Sequence, residues 1–207
     1  MNKPVHNREE AILLAAEREF LARGFEGART TSIAEAAGVT HAMLHYYFRT
    51  KEQLFERILD AKLQLMSQTV LSAFGEPGLP LADRLRNGIG RHFDFIAANP
   101  DLPRFIVNEV FARPERYDMM RRRIAPLAGS LMREMQQELD AAAACGQAEP
   151  MDVGMLLLDI ISLNVFPFLA YPLIEPVLGD LTADRALFFA RRRDEHVEVI
   201  LRRLNIH

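Results

Sequence analysis

The chain has 207 residues, and its 25 Lys and Arg against 28 Asp and Glu give a formal net charge of −3 at pH 7. With 49% hydrophobic and 26% charged residues it is neither a disordered chain nor a polycation, so any binding to a polyanion must come from a local patch. The single cysteine, Cys145, excludes an intramolecular disulfide framework and a thiolate-rich zinc site.

Met1–Arg8 holds no apolar segment of the kind a secretory signal requires, and the expectation is a cytoplasmic protein. The most apolar stretch, Met151 to Leu178, is interrupted by Asp152, Asp159 and Glu175. Its longest uncharged run, Ile160–Ile174, contains Pro167 and Pro172 and is shorter than the ~20 residues a membrane span needs. It reads as a buried helix, with no membrane partner.

Apolar residues recur with a helical period almost throughout. Residues 8–23 place Ile12, Ala16 and Phe20 four apart, and Gly24 stands where a left-handed residue ends a helix. A short helix then opens at Thr30 or Thr31, whose hydroxyl can cap the free N–H groups. Ile33 and Ala37 can face inward, Ala34 is small enough for a close crossing, and Gly38 supplies the left-handed stop. Thr40 can cap a second short helix whose Leu44 and Phe48 point inward. Two short helices joined by a glycine turn form a helix-turn-helix. The outward face of the second carries His41, Ala42, His45 and Tyr46, with Thr40 at its start. Such short or flat polar side chains can reach base edges and phosphates in a major groove. Over residues 27–51, Arg29, Arg49 and Lys51 against Glu35 give a patch of +2. Doubled in a dimer and joined to helix N-termini, that patch can serve as a phosphate-binding face.

Residues 52–74 repeat a helical stripe through Leu54, Phe55, Ile58, Leu59 and Leu63, and the segment Gly75–Pro80 is the clearest break in the chain. Leu81, Leu85, Ile89, Phe93 and Ile96 mark a further helix ending before Pro100. Asn87-Gly88 lies in a helical rather than an alternating frame, so it is not a hairpin. Short helices punctuated by Pro103, Pro114 and Pro126 follow, then a longer one from about Ala125 to Cys145, stopped by Gly146. The last helix, with Thr182 as its cap, repeats Leu187, Ala190, Asp194, Val197, Leu201 and Leu204 at the spacing of a coiled-coil seam. That stripe can pack on the chain's own core or face an identical helix, and Asp194 favours an interface. The fold class is all-α, about nine helices. Residues 1–50 form a helix-turn-helix DNA-binding domain, and 51–207 a helical effector-binding and dimerisation domain.

Residues 8–55 resemble the TetR (tetracycline-repressor) family of bacterial transcription regulators. The resemblance rests on Ile12, Ala16, Phe20 and Gly24, on Ile33-Ala34-Glu35-Ala36-Ala37-Gly38-Val39, on Leu44-His45-Tyr46-Tyr47-Phe48, and on Lys51-Glu52-Gln53-Leu54-Phe55. It implies a repressor that binds a partly palindromic duplex operator as a homodimer and is released by a small-molecule effector. It also implies roles by position. Thr30 and Thr31 meet phosphates and sometimes a base; Thr40, His41, Ala42 and His45 read bases and line the groove; Tyr46, Tyr47 and Lys51 contact the backbone. Many members carry tyrosine where His45 stands, which leaves the operator sequence open.

The alternative is a helical small-molecule-binding or interaction protein with a vestigial DNA-binding head, supported by six Lys and Arg against six Asp and Glu over residues 1–50. An enzyme finds no motif: no Walker loop, no GxGxxG and no serine elbow are present, and Cys145 has no histidine near it in sequence. No catalytic residue and no cofactor is expected. His41 and His45 have metal-binding spacing, but Ala42 stands where a metalloprotease glutamate would, so no metal is expected either. For the effector, Phe93, Phe105, Met120, Phe166 and Tyr171 supply aromatic and thioether surface, and Asn108, Glu109 and Ser162 a polar lining. Gly88 and Gly90 leave room for a neighbouring helix or for that ligand. The expected dimer contacts are Leu187, Ala190, Asp194, Val197 and Leu201, with the apolar helix before them.

Overall fold

A computed structural model describes residues 5–75, 78–111 and 113–206, and these are helical with no strand among them. The helices are α1 (Val5–Gly27), α2 (Thr30–Ala37), α3 (His41–Tyr47), α4 (Lys51–Phe74), α5 (Leu81–Ala98) and α6 (Leu102–Ile106). A π-helical turn (Val107–Phe111) then leads to α7 (Pro114–Ala144), α8 (Val153–Leu178), a 3₁₀ turn (Gly179–Thr182) and α9 (Arg185–Arg203). Glu76 and Pro77, within the expected break, lie outside the described residues, while Gly75 and 78–80 flank it without helix.

The chain forms two compact units, residues 1–65 with 104–120, and 66–103 with 121–207. This partition differs from the functional division read from the sequence, 1–50 and 51–207. Two features account for it: α4 continues unbroken from Lys51, and residues 104–120 pack into the first unit.

In the first unit Ile12, Phe20, Ile33, Leu44, Leu54 and Phe55 are each at most 1% exposed and make the core. The apolar stripes read from the sequence therefore do point inward. Ala34 is buried where α2 packs on α1. Gly24 breaks α1 at φ 66°, ψ 178°, and Gly38 ends α2 at φ 66°, ψ 33°. There the Gly38 N–H donates to the Glu35 carbonyl and the Val39 N–H to the Ala34 carbonyl, the paired bonds of a Schellman stop. Neither Thr30 nor Thr31 caps α2. The N-cap is Arg29, without a side-chain bond; Thr30 is already the first helical residue, and its hydroxyl meets His41.

In the second unit Phe74, Leu85, Ile89, Leu139, Leu156, Ile160, Ile200 and Leu204 form one apolar cluster; Phe93, Phe168, Tyr171, Phe188 and Phe189 form another. Helix α7 starts at Pro114 rather than near Ala125, since proline fits a first helical position, and Pro126 does not interrupt it. Gly146 has the expected left-handed backbone, at φ 69°. The cap of α9 is Asp184, which accepts from the Leu187 N–H, and not Thr182. The Thr182 hydroxyl donates to the carbonyls of Glu175 and Gly179. A Cβ on Gly88 would stand 2.3 Å from the Phe74 ring and one on Gly90 2.8 Å from Arg193, so both glycines make room for protein.

Helix α8 is long and apolar enough to cross a membrane by length and composition, yet only 39% of its most apolar stretch is buried. The buried helix expected from the sequence is therefore two-sided. Leu156, Ile160, Asn164 and Phe168 face the core, while Met155, Leu158, Phe166, Leu173 and Val177 face outward.

Candidate nucleic-acid interface

Helix α3 is seven residues long and is fixed at both ends. The Thr40 hydroxyl accepts from the Met43 N–H at 3.2 Å, which caps its start as the sequence suggested. Leu44 and Phe48 are buried beneath it. With that side anchored, the 3.6-residue period turns Thr40, His41, Ala42, His45 and Tyr46 outward; all five are exposed, Tyr46 to 81%. Thr31 is exposed as well, and Thr30, Tyr47 and Lys51 are half-buried at the margin.

These side chains are ordered by contacts among themselves. The Thr30 hydroxyl lies 3.0 Å from His41 Nε2, and the His41 and His45 rings meet edge to face with centroids 4.4 Å apart. The Tyr46 and Tyr47 rings are also edge to face, at 5.4 Å. His45 Nδ1 donates to the Arg49 carbonyl at 3.2 Å. Lys51 Nζ donates to the Glu26 carbonyl at 3.3 Å and stands 4.7 Å from the centre of the Phe25 ring, which holds its ammonium beside the turn between α1 and α2. Of the nine residues assigned to DNA contact, Thr30, His41 and His45 thus form one chain of contacts, Tyr46 meets Tyr47, and Lys51 lies beside Glu26 and Phe25. Among the described residues no cluster of three or more His, Cys, Asp or Glu could hold a metal ion.

The residues assigned to a ligand pocket are divided between the two compact units. Phe93 and Tyr171 are buried in the aromatic cluster of the second unit, whereas Phe105 packs on Phe55 in the first. Glu109 is also in the first unit. Asn108, Ser162 and Phe166 are exposed, and Met120 is half-buried. The seam assigned to the dimer splits likewise. Val197 and Leu201 are buried in the chain's own core, while Leu187, Ala190 and Asp194 are exposed. A strict 3–4 repeat cannot stay on one face over five turns of an unsupercoiled helix, because 3.6 residues per turn makes it drift.

Two arrangements had no clear sequence signal. Glu109 accepts from the Phe25 N–H at 2.9 Å and from Arg116 at 2.6 Å. The Arg116 guanidinium in turn stacks over Phe25 and Phe55, and Arg113 pairs with Glu26. Glu109 reaches inward because residues 107–111 are wound as a π-turn, which periodicity does not reveal. In the second unit Arg192 donates to His196 Nε2, His196 Nδ1 to Asn164 Oδ1, and Asn164 Nδ2 to both the Ile89 carbonyl and His92 Nδ1. The bonds from Arg192 to His196 and from Asn164 to His92 require neutral imidazoles, because in each a ring nitrogen accepts. Burial lowers both histidines from 6.5 to about 4, helped for His196 by the Arg192 charge.

The family model for bacterial regulatory proteins of the tetR family matches residues 12–58, which span the whole of α2 and α3. RutR of Escherichia coli strain K12, an HTH-type transcriptional regulator, is 41% identical over 81 residues, covering 39% of this chain and 38% of RutR. The aligned stretch therefore spans well under half of that relative. Among solved structures, SCO4942 of Streptomyces coelicolor superposes with a TM-score of 0.65 at 26% identity, over 94% of this chain and 97% of that one. AibR, crystallised with isovaleryl coenzyme A and operator DNA, has the same fold, with a TM-score of 0.66 at 22% identity over 93% and 97% of the two chains. Residues 12–58 thus carry the domain shared by tetR-family bacterial regulatory proteins, and the all-helical fold, with its glycine-turned pair of short helices and outward-facing α3, is similar to that of these regulators.

Proposed function

We propose that the chain is a cytoplasmic transcriptional repressor that binds a partly palindromic operator as a homodimer and is released by a small molecule held in the unit of residues 66–103 and 121–207. The carrying observation is the outward face of α3, where Thr40, His41, Ala42, His45 and Tyr46 stand exposed on a capped, core-anchored helix. Thr30, Thr31, Tyr47 and Lys51 at its margin suit phosphate contact, with Lys51 keeping protons beyond the one given to Glu26. The outward apolar face of α8, with Phe166 65%, Leu173 76% and Val177 80% exposed, suits a second copy of the chain better than water. Two-fold symmetry then places two copies of α3 about one helical turn (~34–36 Å) apart, or a multiple of it. AibR, a fold relative crystallised with both isovaleryl coenzyme A and operator DNA, is a precedent for a small-molecule site and DNA binding in one such chain. A ligand bound better by one spacing of the two α3 helices shifts the population between spacings, with a coupling of ~1–3 kcal/mol.

The test is a mobility shift with the full chain and the duplex upstream of its own gene. A retarded complex with an even number of chains per duplex is expected. Failure to retard that duplex, and failure to enrich any sequence from a random library, would refute DNA binding. That outcome would favour the second reading, a vestigial head, which rests on the equal numbers of acidic and basic residues over 1–50.

A further inference from the structure

We propose that His45 reads the exocyclic amine of a cytosine or adenine in the major groove as a hydrogen-bond acceptor, its tautomer set by the Arg49 carbonyl. The proposal rests on the DNA-binding reading above and specifies the chemistry of one position within it.

The argument is one of donors and acceptors. His45 Nδ1 lies 3.2 Å from the Arg49 carbonyl oxygen, which can only accept, so Nδ1 carries the proton. A neutral imidazole has a single N–H, so Nε2 is left as a bare acceptor on an exposed side chain. The Arg49 carbonyl is not free to turn away. It lies between Phe48, whose N–H closes α3 onto the Leu44 carbonyl, and Thr50, whose hydroxyl accepts from the Gln53 N–H to cap α4. The ring is also held from the side by the His41 ring, edge to face. His41 itself makes no comparable commitment, because its Nε2 faces a hydroxyl that can donate or accept. His45 is therefore the residue on this face whose hydrogen-bonding polarity the fold decides. In the major groove the donors such an acceptor can meet are the N4 amine of cytosine and the N6 amine of adenine. Guanine offers there only N7 and O6, both acceptors, and phosphate oxygens are acceptors too.

The experiment uses the full chain at pH 8. An operator is enriched from a random duplex library, and single functional groups are then deleted from its bases. Removing the exocyclic amine at one position per half-site should weaken binding roughly fivefold, the worth of one hydrogen bond. The same deletion should make no difference to His45→Ala, a change on an exposed side chain. Replacing purines by their 7-deaza analogues should cause no loss that depends on His45. A loss on N7 removal that His45→Ala abolishes would overturn the proposal, since His45 would then be a donor. The absence of any base edit whose effect depends on His45 would overturn it too. Both of these failures leave operator binding in place, whereas a library that yields no binder at all brings down the DNA-binding reading together with this one.

Discussion

The glycine at position 24 gives the sharpest test of how the first unit is held together. Its backbone, at φ 66° and ψ 178°, lies in a region open essentially to glycine alone. Forcing an alanine into it costs about 1–3 kcal/mol before any contact is considered. The new methyl would also lie 2.4 Å from Glu109 Oε1, the oxygen that accepts from the Phe25 N–H. Glu109 cannot yield cheaply, because its other oxygen holds Arg116 and its side chain is buried. Displacing it strands the Phe25 N–H, a loss of about 1–3 kcal/mol. Gly24→Ala should therefore destabilise the unit by about 3–4 kcal/mol, read as a lower urea midpoint and a melting temperature reduced by on the order of 10 °C. The double variant Gly24→Ala, Glu109→Ala separates the two contributions. If the clash is real, the two losses sum to less than their independent total, because the methyl no longer meets a carboxylate. A loss below about 1 kcal/mol in Gly24→Ala, or strict additivity in the cycle, would refute this account of the contact.

Acidification should weaken the second unit. Burial lowers His92 in the folded chain from 6.5 to about 4, so the unfolded chain binds more protons between those values. The contribution is full above about pH 6.5 and is lost as the pH falls toward 4; His92 alone should cost about 2 kcal/mol between pH 7.5 and pH 5. Urea titrations at the two pH values measure it, and equal midpoints would mean that the neutral chain from Arg192 to His92 does not form. Lys51→Ala should weaken binding to all duplexes and lower the slope of log K against log salt by about one. An unchanged slope would confine Lys51 to its contacts with Glu26 and Phe25. Leu173→Glu, at a site 76% exposed within the chain, should leave the fold intact and convert dimers to monomers in sedimentation. Dimers of unchanged affinity would move the interface off α8.

The sequence carried its information unevenly. In α1–α3 each signal is local: a four-residue apolar step, a glycine where the backbone must turn left, a hydroxyl three residues before the N–H it caps. Ile12, Phe20, Gly38, Thr40 and Leu44 could therefore be placed without any knowledge of what they pack against. Thr30 is not the cap because α2 opens at Thr30 itself and the cap position falls on Arg29, a one-residue shift that a run of two threonines does not reveal. The residues read as one pocket fall in two units for a related reason. Phe105 and Glu109 lie in sequence beside residues of the second unit, but they pack in the first, and nothing in their spacing says so. Periodicity identifies which side of a helix is apolar, not which element covers it. That is why α8 could be recognised as apolar while its exposed face, from Met155 to Val177, could not.

The chemistry of the α3 face agrees with its weak charge. A head whose acidic and basic residues balance over 1–50, with only +2 over 27–51, can neutralise few phosphates in each copy. Its non-specific affinity should then be modest and its salt dependence shallow compared with strongly basic DNA-binding domains. On the proposed function, such a protein would take its discrimination from base edges and from the spacing of the two sites in a dimer. The outward residues are suited to that demand: hydroxyls, two imidazoles and a phenol, side chains that carry direction rather than charge, ordered before any duplex arrives by the Thr30–His41 and His45–Arg49 contacts. Because these groups are already oriented, little conformational entropy remains to be lost on binding, which partly offsets the missing electrostatic attraction. In the proposed homodimer, a small change in the distance between two such faces should therefore remove a large share of the specific binding energy, since no diffuse basic field would hold the complex together.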